Sequence, residues 1–258
     1  MKLYFKYLGI LFKSRMQYKV SFIMLALGQF LVTFTGFLGI FFLFERFHSV
    51  KGFSFEEVML CFSVVIFSFS ISECFARGFD SFSSLVRSGE LDRILIRPRS
   101  VIFQVLTSKM EFAKFGRFIV ALGVFIYAIP KCGVEWTPYK ILVVSLMIIG
   151  GIAVFTALFM IYAAFSFFTI EGLEFMNIFT HGTQEFGRYP LSIYGKEVLL
   201  FYTFLIPIAP FQYYPFLYLI DRTDRAWYGL LPLTGFLFLI PAYAFFRFGL
   251  RRYRSTGS

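Results

Sequence analysis

The chain has 258 residues, of which 58% are hydrophobic and 22% aromatic, and its mean hydropathy is +0.73. A soluble domain of this length is far less apolar, so the composition predicts an integral membrane protein in contact with membrane lipid. The formal net charge of +10 would suit nucleic-acid binding, but a basic excess in a membrane protein usually reflects its orientation. We therefore expect no nucleic-acid partner.

The three cysteines, Cys61, Cys74 and Cys132, are dispersed and odd in number. Their spacing indicates neither a disulfide framework nor a metal cage, so we interpret them as packing residues and expect no metal site. The N-terminus is basic and then apolar, but lysines interrupt its first apolar run and no small-residue cleavage site follows. A cleaved signal peptide is therefore not expected.

The first predicted element is an interfacial helix at residues 2–19. Its aromatic and aliphatic residues fall on one side of a helix, and its lysines can meet anionic headgroups of the inner leaflet. A first membrane span is predicted at 20–44, ended by Glu45 and Arg46, and a second at 58–75.

The stretch from Arg77 to Ser100 is the longest polar interruption between apolar segments. On a helix, one face of this stretch would carry the apolar residues Phe79, Phe82, Leu85 and Val86. Asp80 or Ser81 can cap the start of a helix here, and Gly89 suits its end. We predict a short amphipathic helix across the inner mouth of the protein, with its polar face toward the cytoplasm. The alternative is a solvated connecting loop.

The middle of the chain predicts two further spans. Residues 101–114 form a mixed helix that stays partly in the cytoplasm before span three at 118–129. A short outer loop leads to span four at 141–168, which is long enough to cross roughly 30 Å of hydrocarbon with a tilt. A second inner segment is predicted at 169–196.

The fifth apolar segment is interrupted by three prolines, Pro207, Pro210 and Pro215. Prolines at such short intervals stop a continuous helix, and broken backbone at membrane depth requires cover by protein or a water-filled cavity. We predict span five at 198–206, with a start at Val198 or one to two turns earlier, followed by a re-entrant outer element at 207–220. A kinked span is the alternative reading. After an outer loop, span six is predicted from Ala226 to Phe246.

The distribution of basic residues gives the orientation. The predicted inner segments hold most of the lysines and arginines, whereas the three outer loops hold two each. This bias predicts six spans with both termini in the cytoplasm.

No enzyme constellation is visible. A phosphate loop with a following Lys and Ser or Thr is missing, and His48 and His181 are too far apart for a zinc motif. Glu73 is a candidate proton-coupling carboxylate, but Arg77 four residues later favours an ion pair within the helix. The segments 20–44, 118–129, 141–168 and 226–246 contain no charged residue. The energy for any transport is therefore predicted to come from outside the membrane part.

Two groups of residues carry a resemblance to a known family. The first group is Gly78, Phe79, Asp80, Gly89, Glu90, Leu91, Asp92, Arg97 and Pro98, and the second is Arg188, Tyr189, Pro190, Ile206, Pro207, Tyr213, Tyr214 and Pro215. Together with the basic N-terminal helix, they resemble the permease subunits of ABC-2 type exporters, in the subgroup of small bacterial six-span permeases. The chain departs from the family pattern at Arg99, Val101 and Gln212.

The resemblance implies an all-α integral membrane protein with a single permease domain over residues 1–258. It implies six transmembrane helices, an elbow helix at 1–19, a cytoplasmic coupling region at 77–100 and outer re-entrant helices at 207–220. The residues implied to couple to the ATPase are Phe79, Asp80, Phe82, Ser83, Leu85, Val86, Arg87, Gly89, Glu90, Asp92, Arg97 and Pro98. Those implied to form the re-entrant gate are Pro207, Pro210, Tyr213, Tyr214 and Pro215.

The resemblance also implies partners. Separate ABC ATPase subunits would bind ATP and Mg, so no cofactor or catalytic residue is expected in this chain. A second permease chain, identical or a sister, would complete the substrate pathway in the cell (inner) membrane. Two alternatives stay open: a self-contained secondary carrier or channel, and a lipid-modifying membrane enzyme that uses Glu174, His181 or Glu185.

Overall fold

The computed structural model describes residues 2–169 and 173–253. Met1 of the predicted elbow helix, residues 170–172 of the predicted inner segment and the last five residues lie outside this part. Within the described ranges the regular elements are helices, as the composition and periodicity predict. The basic end of the bundle is defined here by residues 2–18 and 76–114, and the loop end by 48–54, 129–137 and 220–225.

Three helices open the fold. α1 spans Lys2–Met16, α2 spans Lys19–Phe47 and α3 spans Phe55–Phe75. α3 begins with a capping box, in which the Glu57 backbone N–H donates to Ser54 Oγ over 3.2 Å and the Ser54 N–H donates to Glu57 Oε2 over 2.8 Å. α3 is the central helix of the bundle, since 89% of the residues in its most apolar 18-residue stretch are buried.

The polar stretch after α3 is helical but broken. It forms α4 at Arg77–Asp80, α5 at Phe82–Arg87, α6 at Glu90–Leu95 and α7 at Val101–Ser108. The prediction of one helix capped by Asp80 or Ser81 is wrong, because α4 and α5 meet at Ser81 and the described ends of both lack a side-chain cap. Gly89 does stop α5, with φ at +70° in the left-handed region that favours glycine.

α8 at Phe115–Ala128 and α9 at Pro138–Phe165 flank α3. α8 has 14 residues and is preceded by a 3₁₀ turn at Phe112–Lys114. At 1.5 Å per residue it covers roughly 21 Å, which is less than the hydrocarbon thickness of roughly 30 Å. α9 starts at a Thr137 cap, where the Lys140 N–H donates to Thr137 Oγ1 over 3.3 Å, and its first residue is proline.

The helical segment after α9 enters the bundle. It comprises a 3₁₀ turn at Leu173–Phe175, a π-helical stretch at Ile178–Gly182 and α10 at Thr183–Gly187. A β-carbon on Gly187 would meet a Val65 methyl carbon at 3.2 Å, so Gly187 packs closely against a side chain at the middle of α3. The prediction that residues 169–196 lie on the inner side is therefore wrong for this part. Its polar residues lower the hydropathy, and hydropathy alone misplaces it.

The proline-rich part folds as a bent pair. α11 spans Lys196–Phe204, and α12 at Ile208–Phe211 is followed by α13 at Tyr213–Leu219. The axis turns by 87° between α11 and the α12–α13 pair. Nine residues of α11 extend only about 14 Å, so α11 by itself is too short to cross the hydrocarbon layer, and the predicted span five requires residues before it.

A 3₁₀ helix at Ala226–Leu233 continues into α14 at Thr234–Arg252, which returns to the basic end. Four helical stretches are long and apolar enough to cross a membrane, namely α2, α3, α9 and Ala226–Arg252, and the bent pair is a possible fifth. The chain is thus a multi-pass membrane protein. Predicted spans one, two, four and six correspond to these four helices, with bounds shifted by a few residues.

Candidate functional site

Residues 77–100, the predicted coupling region and from here on the coupling segment, are held to the bundle by aromatic side chains. Phe79 and Phe82 are fully buried, and their ring centroids lie 5.6 and 5.4 Å from that of Phe246 in α14. Phe82 also contacts Phe167 at 5.1 Å. These edge-to-face contacts add to the burial of large apolar surfaces and connect the segment directly to α14.

Gly78 lets α4 approach α7 closely. A β-carbon at this position would overlap the Val105 carbonyl oxygen and approach Ser108 Oγ. The backbones of α4 and α7 therefore touch where the segment leaves α3. This contact requires a residue without a β-carbon, which is glycine.

The predicted coupling residues fall into three sets by their exposure. Phe79, Phe82 and Val86 are buried within this chain, so they anchor the segment. Intermediate exposure is found for Asp80, Ser83, Leu85, Gly89 and Asp92, whereas the exposed residues are Arg87, Glu90, Arg97 and Pro98. The exposed set is the most accessible to another protein.

A basic recess adjoins the exposed set. Its volume is about 330 Å³, and it lies between α6, the start of α7 and α1. Arg93, Arg97 and Arg99 line it, together with Glu90 and Tyr7. An excess of guanidinium groups favours carboxylate or phosphate groups as contacts.

Behind the coupling segment lies a charge cluster of Glu73, Arg77, Asp80, Glu111, Lys114 and Arg117. The Glu73 carboxylate is fully buried. Its Oε1 lies 2.5 Å from Lys114 Nζ in an ion pair, and its Oε2 accepts a hydrogen bond from an Arg117 guanidinium nitrogen at 3.1 Å. Arg77 lies 3.5 Å from both Glu73 and Glu111. Three carboxylates and three cations thus share one site and balance formally, as burial of charge requires.

The charge cluster joins α3, α4, the 3₁₀ turn before α8 and α8, and it reaches α2 through Gln29. Arg77 forms its shortest ion pair with Asp80 of α4, and Arg117 Nε donates to Gln29 Oε1 of α2 over 2.6 Å. The predicted pair of Glu73 and Arg77 is present, but Lys114 and Arg117 are the nearer partners of Glu73. Burial raises the pKa of Asp80, and the Arg77 guanidinium opposes this shift.

Sequence reasoning missed the roles of Gln29, Lys114 and Arg117 in this cluster. Lys114 and Arg117 flank a span and resemble ordinary orientation charges, while Gln29 is one polar residue inside a span. A partial signal exists, because an isolated polar residue at membrane depth requires a hydrogen-bond partner. Which partner it finds depends on helix packing.

The predicted gate residues lie in and beside the bent pair. Pro210 and Pro215 are buried, and the Tyr214 hydroxyl is 3.2 Å from Thr203 Oγ1 across the bend. Tyr213 and Tyr214 have ring centroids 5.5 Å apart. Pro207 immediately precedes α12, where its missing N–H costs no helical hydrogen bond. The structure thus brings these residues together around one turn of the chain.

Gln212 fastens the bent pair to the preceding segment. It is fully buried, and its Nε2 donates to the carbonyl oxygens of Gly187 at 3.2 Å and Tyr189 at 3.0 Å. These two carbonyls lie where the helical segment ends, so they have no helical partner. Gln212 therefore replaces backbone hydrogen bonds that the break removes.

Glu174, His181 and Glu185 do not converge. Glu174 and Glu185 are eleven residues apart on one helical segment, or roughly 16 Å. The His181 ring instead contacts Phe69 at 5.3 Å between centroids. Glu185 pairs with Arg188 at 2.7 Å. No shared reaction centre is formed by these three side chains.

Arg188 lies deep in the bundle. Its guanidinium carbon is 5.8 Å from the centre of the Phe62 ring, and its nitrogen borders Gly36 at the middle of α2. The segments 20–44, 118–129, 141–168 and 226–246 contain no charged residue, but Arg188 brings a charge into the bundle from a segment that was not predicted as a span. Among the described residues, no grouping of His, Cys, Asp and Glu could hold a metal ion.

Comparison with protein families matches the chain to the model described as "ABC-2 family transporter protein" over residues 30–257. Comparisons with curated proteins and with solved structures gave no match. The matched range begins inside α2. It includes the coupling segment, all six residues of the charge cluster and the bent pair. It covers most of the chain, so the chain belongs to the ABC-2 family of transporter proteins.

Proposed function

We propose that this chain is the non-catalytic permease subunit of an ATP-driven ABC-2 exporter. Two permease chains, identical or sister, form the substrate pathway, and separate ABC ATPase subunits bind ATP and Mg. The complex lies in the cell membrane with the basic end toward the cytoplasm. The family supports the transport role, and the excess of Lys and Arg at the basic end supports the orientation.

The proposal rests on the two faces of the coupling segment, one packed against this chain and the other exposed. Phe79, Phe82 and Val86 fix its apolar side to this chain, while Arg87, Glu90 and Arg97 are exposed on the other. A segment that is firmly anchored on one side and charged on the other can pass a rigid-body displacement from a partner to the bundle. An unanchored solvated loop would absorb the same displacement.

The contacts of the segment define the elements that would move. Closure of the ATPase dimer would displace the coupling segment, and Phe82 would transmit the movement to α14. The charge cluster would carry it to α2, α3 and α8 at the same time. Tilting of these helices would open the pathway toward the loop end, where the bent pair forms the proposed gate.

Capture of the partner tests this function. The full chain is purified in mild detergent from its native membrane, and the ATP-binding subunit that accompanies it is quantified. Arg97→Glu reverses the charge of one exposed coupling residue, so we expect it to lower the captured ATPase at least tenfold. Arg46→Glu is the matched control, because Arg46 is an exposed arginine at the loop end.

Equal capture by Arg97→Glu and Arg46→Glu would remove Arg97 from the docking surface. Reproducible isolation of the folded wild-type chain without any ATP-binding subunit would overturn the permease proposal. In that case, substrate flux from liposomes that contain this chain alone would establish a carrier or channel instead.

A further inference from the structure

A cleft of about 440 Å³ lies where α1, α2 and residues 111–114 meet. α1 ends at Met16 and α2 begins at Lys19, so the mouth of the cleft is beside the start of a membrane-crossing helix. Its deep end reaches Gln29, ten residues along α2 or about 15 Å. The cleft therefore extends from the membrane boundary into the hydrocarbon layer.

The mouth of the cleft is basic and rich in hydroxyl groups. Arg15 is exposed in its wall, with Ser14, Tyr18 and Ser21 beside it. The Arg15 guanidinium forms no hydrogen bond or ion pair with a described residue. Because a guanidinium group binds phosphate oxygens with charge-assisted hydrogen bonds, this mouth suits a phosphodiester.

The charges deeper in the cleft are already paired. Lys114 Nζ is 2.5 Å from Glu73, and the Glu111 carboxylate is 3.5 Å from Arg77 Nε. Arg15 is therefore the cation in the wall that is available to a ligand. The anionic part of a ligand is directed to the mouth and not to the deep end.

The remaining wall is apolar. Phe22, Leu25 and Phe112 line it between the mouth and Gln29. Leu25 is 57% exposed within the chain, although it lies two turns inside a membrane-crossing helix. A hydrocarbon chain laid along Leu25 and Phe22 would cover this surface without any polar group being buried.

We infer that the cleft is a binding site for one anionic phospholipid of the leaflet at the basic end. The phosphate group contacts Arg15 and the neighbouring hydroxyls, and one acyl chain follows Phe22 and Leu25 toward Gln29. The site places a lipid against the charge cluster, so its occupancy is positioned to influence the contact between α1 and α2. The inference rests on the membrane embedding of α2 and not on coupling to an ATPase.

Native mass spectrometry of the full-length chain tests the site. The detergent-solubilised chain is titrated with dioleoylphosphatidylglycerol and, separately, with dioleoylphosphatidylcholine. We expect tighter binding of the first lipid and about a tenfold loss on Arg15→Gln, which corresponds to one charge-assisted contact of about 1.4 kcal/mol. Lys13→Gln is the matched control, because Lys13 is an exposed cation in the last turn of α1 outside the cleft.

A diffuse surface attraction predicts a different pattern. Each cation near an anionic surface contributes about 1 kcal/mol, and this contribution is screened within roughly 10 Å at 0.1 M salt. Any loss of lipid affinity on Lys13→Gln should therefore disappear at high salt, whereas the loss of lipid affinity on Arg15→Gln should persist. Equal losses for both variants at high salt, or no preference of the wild type for phosphatidylglycerol, would overturn the site.

A second variant tests the site without changing a charge, and its circular dichroism signal shows whether it is folded. Ser21→Trp fills the mouth from an exposed position of α2, and we expect it to weaken phosphatidylglycerol binding while retaining the helical circular dichroism signal. Soluble glycerol 3-phosphate should not compete, since it lacks the acyl chains that the apolar wall contacts. Competition by this compound would show a free phosphate site instead of a lipid site. Unchanged lipid binding by a folded Ser21→Trp variant would also contradict the inference.

Discussion

Gly78 occupies the point at which α4 and α7 touch, and its missing side chain is a requirement of the packing. A β-carbon there would overlap a backbone carbonyl of Val105, and backbone atoms of a helix cannot rotate away as a flexible side chain does. Overpacking of a tight contact typically costs about 1–3 kcal/mol or more. The coupling segment therefore depends on this residue for its position.

We predict that Gly78→Ala lowers the thermal unfolding midpoint of the purified chain by several degrees. Gly123→Ala is the control, because no heavy atom lies within 4 Å of a β-carbon at Gly123 in α8. Replacing a helical glycine in open space should be neutral or stabilising by about 0.4–1 kcal/mol. Scanning fluorimetry in detergent measures both shifts. A smaller midpoint decrease for Gly78→Ala than for Gly123→Ala would contradict the assigned close contact.

At the scale of elements, the charge cluster is the main polar connection between the coupling segment and the spans. Glu73 belongs to α3, Lys114 to the 3₁₀ turn before α8, Arg117 to α8 and Gln29 to α2. Removing one member leaves oppositely charged partners buried without compensation, which typically costs about 3–5 kcal/mol. The cluster is thus a stabilising contact only while it is complete.

We predict that Glu73→Gln lowers the free energy of unfolding by about 3–5 kcal/mol, measured by equilibrium unfolding in mixed micelles. The double variant Glu73→Gln with Lys114→Gln should lose less than the sum of the two single variants, because the second substitution removes the stranded cation. Glu45→Gln is the control at an exposed helical site and should change the value by less than about 0.5 kcal/mol. Additive losses in the double variant would show that Glu73 and Lys114 do not interact.

At the scale of the whole molecule, ion pairs also fasten the loop end. Lys140 of α9 lies 2.6 Å from Asp221, and Arg222 lies 2.9 Å from Glu57 of α3. The return loop after α13 is thereby tied to the first residues of two spans. Both described ends of the chain instead lie at the basic end, where Tyr7 and Tyr253 contact Phe103 and Phe167.

We predict that opposite ends of the molecule face opposite sides of the membrane. Ser49→Cys at the loop end and Ser100→Cys at the basic end are both exposed positions, and Cys132→Ser removes the native cysteine of intermediate exposure. A membrane-impermeant maleimide should label Ser49→Cys in intact cells and Ser100→Cys only after permeabilisation. Labelling of Ser100→Cys in intact cells would reverse the orientation.

The amino-acid sequence alone predicted the membrane class, four of the spans and the apolar face of the coupling segment. These features depend on hydropathy and on local periodicity, which every short window of sequence contains. Phe79, Phe82 and Val86 were placed on one face correctly because helical spacing fixes that face, although the break at Ser81 was not predicted.

The tertiary structure decided where the polar residues go. Residues 187–189 enter the bundle because Gly187 packs against Val65 and because Gln212 donates to the carbonyl oxygens of Gly187 and Tyr189. A hydropathy profile cannot predict such contacts, since it depends only on neighbouring residues in the sequence. Glu73, Lys114 and Arg117 meet for the same reason, since the partners are about 40 residues apart in the chain. A buried charge requires a partner, but only the packing of α2, α3 and α8 determines which residue it is.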